Sequence, residues 1–263
     1  MSGVRVTRDG AFARVTLARP EVRNAFNAEL IGELRSTFES FAHEPVSALR
    51  GVVLAGDGAV FCAGAEVEWM RSAIGLSLED NERDAAAMQA MFTAIDRCPV
   101  PVVARVHGAA LGGGVGLCAV SDVVLASADT AFGFTETKLG MLPAVISTFV
   151  LPKIGESAAR ALYLTGERFG AERARSIGLV HEVLPDGAAL DQRIEELLVE
   201  LRGAGPTAAR GAKAMIRELR SLPPEEARAH TVRHIAQQRA SAEGQEGLAA
   251  FLEKRPPRWA AED

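Results

Sequence analysis

Three consecutive glycines, Gly112, Gly113 and Gly114, follow an apolar run over residues 100–106 that halts at His107-Gly108, and they open a short apolar helix. Glycine runs are costly in chain entropy and persist where a backbone passes close to something else. At a helix start that backbone also presents N–H groups with no partner inside the helix. Such donors can bind an anion or hold the negative charge that develops on a reacting carbonyl. Tight helix packing is the competing use of the same residues. A second junction has the same character: the strand-like run 50–56 turns at Asp57-Gly58 and passes through Ala63, Gly64 and Ala65 into a helical segment. Two junctions of this kind can supply the two donors of an oxyanion hole.

The elements that must hold these junctions alternate. Strand patterns occupy residues 4–8, 11–17, 51–55, 102–106, 122–126 and 180–184. Between them Leu30, Ile31, Leu34, Phe38 and Phe41 recur at helical spacing, with Asn27 as N-cap, and a longer helix runs from Ser77 or Leu78 to about Arg97, stopped by Pro99 and Pro101. This alternation predicts an α/β fold. From about Gly187 the strand signals vanish and four helical patterns follow, whose apolar stripes need a surface to cover. The chain is therefore divided into an α/β core, residues 1–186, and a helical region, residues 187–263.

Composition narrows the function. The 263 residues are 48% hydrophobic and 24% charged, ordinary for a globular protein, and the net charge of −5 gives no general attraction to nucleic acid or anionic membrane. Arg210, Lys213 and Arg217 are a local cluster that could meet a phosphorylated ligand or lie on a solvated helix face. Cys62, Cys98 and Cys118 have neither metal-ligand nor disulfide spacing, and the five histidines are dispersed, so no metal is expected. With no leader pattern and no bilayer-length apolar run, a cytoplasmic location is expected.

The Phe-Cys-Ala-Gly-Ala block at 61–65, the Ala-Leu-Gly-Gly-Gly block at 110–114 and the Phe-Gly-Phe-Thr-Glu-Thr-Lys-Leu-Gly stretch at 132–140 together resemble the signature of the crotonase superfamily of enoyl-CoA hydratases and isomerases. The resemblance covers essentially the whole chain. It implies a spiral of strand–strand–helix turns, with the C-terminal helices covering the active site and building a trimer or a hexamer of two trimers. Ala65 and Gly113 would supply the oxyanion N–H groups, and Glu136 would move the proton. Coenzyme A would enter as part of the acyl-CoA substrate, with no prosthetic group. Its adenine would lie beside Ala63, Ala65, Glu66 and Val67, with Val22, Arg23 and Ala25 contributing and Lys254 reaching a neighbouring subunit's coenzyme.

One position departs from the family pattern. Where typical hydratases carry a first glutamate after the glycine string, this chain has Gly116. A hydratase would then work with Glu136 alone, and a single carboxylate also suffices for shifting a double bond, so a delta3-delta2-enoyl-CoA isomerase is the alternative. The local sequence resembles bacterial methylglutaconyl-CoA hydratases of branched-chain amino acid metabolism. That likeness leads to the expectation that a branched or carboxylated acyl group fills space beside Gly116. A non-catalytic CoA-thioester-binding protein is the rival outside enzymes. The glycine cluster fits neither a P-loop, lacking the following Lys-Ser/Thr, nor a dinucleotide fingerprint, lacking its third glycine.

Overall fold

The computed structural model describes residues 2–260; residue 1 and residues 261–263, the outer ends of the two sequence-defined regions, lie outside the described residues. Strands β1 (Val4–Asp9) and β2 (Phe12–Leu17) form an antiparallel hairpin, and β3 (Gly51–Gly56), β4 (Val102–Val106), β6 (Val123–Ser127) and β9 (Glu182–Leu184) extend it in parallel, giving the order β1-β2-β3-β4-β6-β9. A second, three-stranded sheet holds β5 (Ala109–Leu111), β7 (Ala131–Gly133) and β8 (Arg168–Gly170). The spiral follows from this division. β4 lies in the large sheet, β5 in the small one, and helix α4 (Gly113–Val120) leads back to the large sheet; β6 and β7 repeat the step between sheets, and the chain then passes through helix α5 (Ala144–Thr165) and β8 of the small sheet before it returns to the large sheet at β9.

The central strands are apolar runs because both faces of the large sheet are covered. Val52 and Leu54 of β3 pack with Leu30, Leu34 and Phe38 of α1 (Ala28–Phe41) and with Met91, Phe92 and Ile95 of α3 (Leu78–Asp96). The intervening Val53 points the other way, joining Phe12, Val103 and Leu125 against Leu190, Ile194 and Leu198 of α7 (Gly187–Gly203). Asn27 and Ser77 cap α1 and α3 as their positions predict.

Three short strands and one helix break leave no pattern in the sequence. β5, β7 and β8 have three residues each, too few to display a period of two. Helix α5 is interrupted at Gly155, where φ is +72°. The strand expected over 180–184 begins only at Glu182. The remaining helices in this part are α2 (Val67–Ser72) and α6 (Ala171–Ser176).

After β9 the described residues hold only helices: α7, α8 (Pro206–Leu219), α9 (Pro224–Ala240) and α10 (Ala242–Leu252), then a 3-10 turn, Arg258–Ala260. Two of the three basic residues clustered on α8 are spent on the fold. Arg210 donates to the Leu49 carbonyl at 3.1 Å, and Lys213 reaches Asp122 at 2.6 Å. The C-terminal tail docks on its own chain, with Trp259 Nε1 donating to Gly203 O and Arg255 paired with Glu246. No helix among the described residues is long and apolar enough to cross a membrane.

Candidate active site

Strand β5 and the 61–66 segment run side by side. Cys62 N–H donates to Ala109 O, and Leu111 N–H donates back to Cys62 O, both at 3.0 Å. On its far side the same segment pairs with Phe26, whose N–H donates to Gly64 O and whose carbonyl accepts from Glu66 N–H. Ala65 lies between those two bonds with its own N–H left over. Gly113 is the first residue of α4, so its N–H has no acceptor within the helix. Among the described residues neither N–H has a protein partner, and both residues line one cavity of about 400 Å³.

The glycines exist for their neighbours. Gly112 has φ +50°, and a Cβ there would sit 3.0 Å from Glu136 Oε1. One at Gly113 would lie 2.4 Å from the Phe26 ring, and one at Gly114 2.5 Å from Cys62 O. The helix start is thereby pressed against the 61–66 segment, which holds the two donors at a common cavity wall. The obstacle at residue 113 is Phe26, so a larger residue there would clash within the protein.

Glu136 comes from the 3-10 turn Thr135–Leu139 that follows β7, closed by Gly140 in the left-handed region and by the bond from Met141 N–H to Glu136 O at 3.0 Å. Phe134, fully buried, anchors this turn against Tyr163, with ring centroids 4.7 Å apart. Glu136 lines the same cavity as Ala65 and Gly113, and its Oε2 is buried with no hydrogen-bond partner. Burial pushes its carboxyl above the ordinary glutamate range. Lys138 follows two residues later in the same turn, yet among the described residues the two form no ion pair. A buried, unpartnered carboxylate facing two unpaired N–H donors can move a proton beside a carbonyl whose oxygen is held as an oxyanion.

A larger groove of about 990 Å³ opens beside this cavity, sharing Ala63, Ala65, Met70, Thr135 and Leu139 with it. Its walls include Val22, Arg23, Ala25, Ala63, Ala65, Glu66 and Val67, the positions that the resemblance assigns to coenzyme A. Lys138 and Arg168 also line it. Lys254 lies exposed beyond α10 and lines neither cavity of its own chain.

Comparison with known proteins agrees with this architecture. A family model described as enoyl-CoA hydratase/isomerase matches residues 7–262. The chain belongs to the enoyl-CoA hydratase/isomerase family. An enoyl-CoA hydratase crystal structure from Shewanella pealeana superposes with a TM-score of 0.92 at 34% identity, covering 98% of this chain and 96% of that one. Pseudomonas aeruginosa AtuE does so with a TM-score of 0.94 at 38% identity, over 98% and 99%. A peroxisomal Delta(3,5)-Delta(2,4)-dienoyl-CoA isomerase from Arabidopsis thaliana is 29% identical, over 98% of this chain and 95% of its own length. The fold is the crotonase fold, and the chain is an enzyme of enoyl-CoA chemistry.

Gly116 requires a correction. It does not line the cavity, and no vacant space lies beside it. A Cβ there would meet Ile146 Cγ2 at 2.5 Å and the Phe92 ring at 2.7 and 2.8 Å. Protein side chains occupy the space beside Gly116 where a substrate group is expected from the sequence. Cys62, beside the site, is no nucleophile, since burial pushes its thiol up to about 12 and its Sγ donates to Asn24 O.

Other residues escaped the sequence reading. Asn24 is fully buried with φ +55°, its amide nitrogen donating to the carbonyls of Asp57, Val60 and Phe61. Arg19 donates to Ala25 O and to Glu66 at 2.7 Å. Together they tie the 20–26 segment to the 61–66 segment, and the Glu66 carboxylate is committed to Arg19. His107 is a satisfied turn residue, bonded to Gly58 O and Arg105. Asp84, on α3, lines the reaction cavity, and with Glu136 it makes up the charged lining.

Proposed function

We propose that this enzyme adds water across the 2,3-bond of an uncharged, apolar or branched enoyl-CoA, with Glu136 as its proton-moving group. The observation that carries the reading is the unpartnered Glu136 carboxylate facing the cavity that the Ala65 and Gly113 N–H groups also border. The two N–H groups receive the thioester oxygen as it gains enolate charge, and one such donor is worth about 2.7–4 kcal/mol. Glu136 takes a proton from water as its oxygen bonds to C3, then returns a proton to C2 as the enolate collapses. Its raised pKa suits both steps. The coenzyme lies in the adjoining groove, where Arg23, Lys138 and Arg168 are available to its phosphates.

The lining argues for an uncharged acyl group. Asp84 and Glu136 are both acidic, no described cation lines the reaction cavity, and Trp69, Met88, Leu142, Val145 and Ile146 make the remainder largely apolar. A carboxylated acyl chain would be desolvated among like charges with no counter-ion. Of the branched and carboxylated acyl groups expected from the sequence, the lining favours the branched, and it admits uncharged straight chains as well. Product analysis in oxygen-18 water over a panel of enoyl-CoA thioesters tests the reading: a labelled 3-hydroxyacyl product is expected, with crotonyl and 3-methylcrotonyl thioesters turned over faster than 3-methylglutaconyl-CoA. Preference for the carboxylated substrate overturns the charge argument.

The isomerase reading has one observation in its favour: Phe92 and Ile146 close the space beside Gly116, where a second carboxylate would otherwise stand. A shift of a 3-enoyl double bond to the 2-position with no label incorporated from any substrate would decide for it.

We further propose a homotrimer or hexamer built through the helical region. α8 and α9 bury no residue in the single chain, while Ile216, Val232, Ile235, Leu248, Phe251 and Leu252 are exposed. That much unpartnered apolar surface supports a partner copy. In such an assembly Lys254, unused by its own groove, is free to serve a neighbour's coenzyme.

A further inference from the structure

The histidines are less dispersed than their sequence positions suggest. His230 and His234 stand four residues apart on α9, so they share one helical face, and their ring centroids are 4.0 Å apart. Glu218, near the end of α8, approaches the same point. One ligand atom from each of the three lies within 4.8 Å of the others. His230 Nε2 is 2.9 Å from Glu218 Oε2, yet it is buried without a hydrogen bond, because the angle between the groups is wrong for one.

We infer that Glu218, His230 and His234 form a binding site for a divalent transition metal, with zinc as the best match. Two imidazoles and one carboxylate are a zinc donor set, with bonds of about 2.0–2.2 Å and one position left for water. Bonds of that length put tetrahedral ligand atoms about 3.3 Å apart. The Glu218–His230 separation is already close to this, and small side-chain rotations bring His234 in. A metal would give the orphaned His230 nitrogen a partner and explain why two imidazoles lie side by side next to a carboxylate.

The site is separate from the reaction cavity, and its role follows from its place. Residues 220–223 join α8 to α9, two helices with no fully buried residue in the single chain. An ion shared between them clips the pair together. The intervening Thr-Val-Arg carries no acid, so the histidine pair lacks the general base of a hydrolytic zinc helix. We assign it a stabilising role.

The test uses the whole protein, treated with a chelator, desalted and titrated with zinc chloride by calorimetry. One zinc per chain is expected, with the melting temperature rising by roughly 5–10 °C at zinc a hundredfold above its dissociation constant. Glu218→Gln, His230→Ala and His234→Ala should each weaken zinc by about 100-fold. Cobalt should give the visible absorption of a tetrahedral site in the parent and lose it in the variants. Should a histidine variant fail to fold, Glu218→Gln carries the test, since that side chain is 43% exposed. No zinc bound by the parent, or unchanged zinc affinity in the folded variants, overturns the assignment and leaves Glu218 and His230 as a contact within the protein alone.

Discussion

Replacing Gly116 by alanine separates two accounts of the residue that stands where hydratases carry a first glutamate. If the space beside it belonged to substrate, one methyl group would leave stability untouched and slow only bulky acyl groups. The structure predicts otherwise. The new Cβ would fall 2.5 Å from Ile146 Cγ2 and 2.7 and 2.8 Å from the Phe92 ring, well inside van der Waals contact. Phe92 is fully buried between Phe26 and Phe149, with centroids 6.1 Å from each, so it has little room to retreat. Overpacking of this kind costs about 1–3 kcal/mol. At roughly 2–4 °C per kcal/mol for a chain near this size, the melting temperature should fall by about 2–12 °C. Ile146 is the neighbour with an exit, and that exit is the reaction cavity it lines. Its displacement should narrow the acyl site and raise KM for branched thioesters more than for crotonyl-CoA. Thermal melts and steady-state kinetics on both substrates measure the two effects. An unchanged melting temperature would refute the packing argument, and with it the closed environment of Gly116. Gly116→Glu should be worse on both counts, because it adds a buried, unpaired carboxylate.

Glu136→Gln should lower kcat by about 10²–10⁴-fold with little change in CoA-thioester binding, measured by loss of enoyl-thioester absorbance and by calorimetry. Because the carboxyl of Glu136 is raised in the fold, its contribution to stability is fully present below the unfolded value and is lost as pH rises through the folded value. Glu136→Gln should therefore melt higher than the parent at neutral pH, with the gain disappearing in acid; equal melting at neutral pH would count against a desolvated carboxylate. For the parent, kcat/KM should fall on acidification from a pH above the ordinary glutamate range. Asp84→Asn should raise kcat/KM for a carboxylated enoyl-CoA relative to crotonyl-CoA, and an unchanged ratio would show that Asp84 plays no part in discrimination. Light scattering at micromolar concentration should return a trimer or hexamer mass, and a monomer would leave the apolar faces of α8, α9 and α10 unexplained.

Much of this protein is determined locally and is legible in the chain. The apolar runs of β3 and β4, the five apolar residues of α1 at helical spacing, and the caps Asn27 and Ser77 depend on neighbours within a few residues. Local chemistry also marks the two glycine junctions, because a backbone that must approach another closely tolerates no Cβ. The three-residue strands of the small sheet are not legible, since their hydrogen bonds lie with partners 22 or more residues away and three side chains show no period. Only the tertiary structure decides that Glu136 is unpartnered rather than paired with Lys138, that Glu66 is held by Arg19, and that Asp84 enters the cavity from α3. It also decides that Phe92 and Ile146 fill the ground beside Gly116, and that Glu218 meets His230 and His234. Residue type and spacing set which backbone can bend and which group can carry a proton. Whether a charge finds a partner, and whether a gap is filled, depends on side chains brought from distant segments by packing.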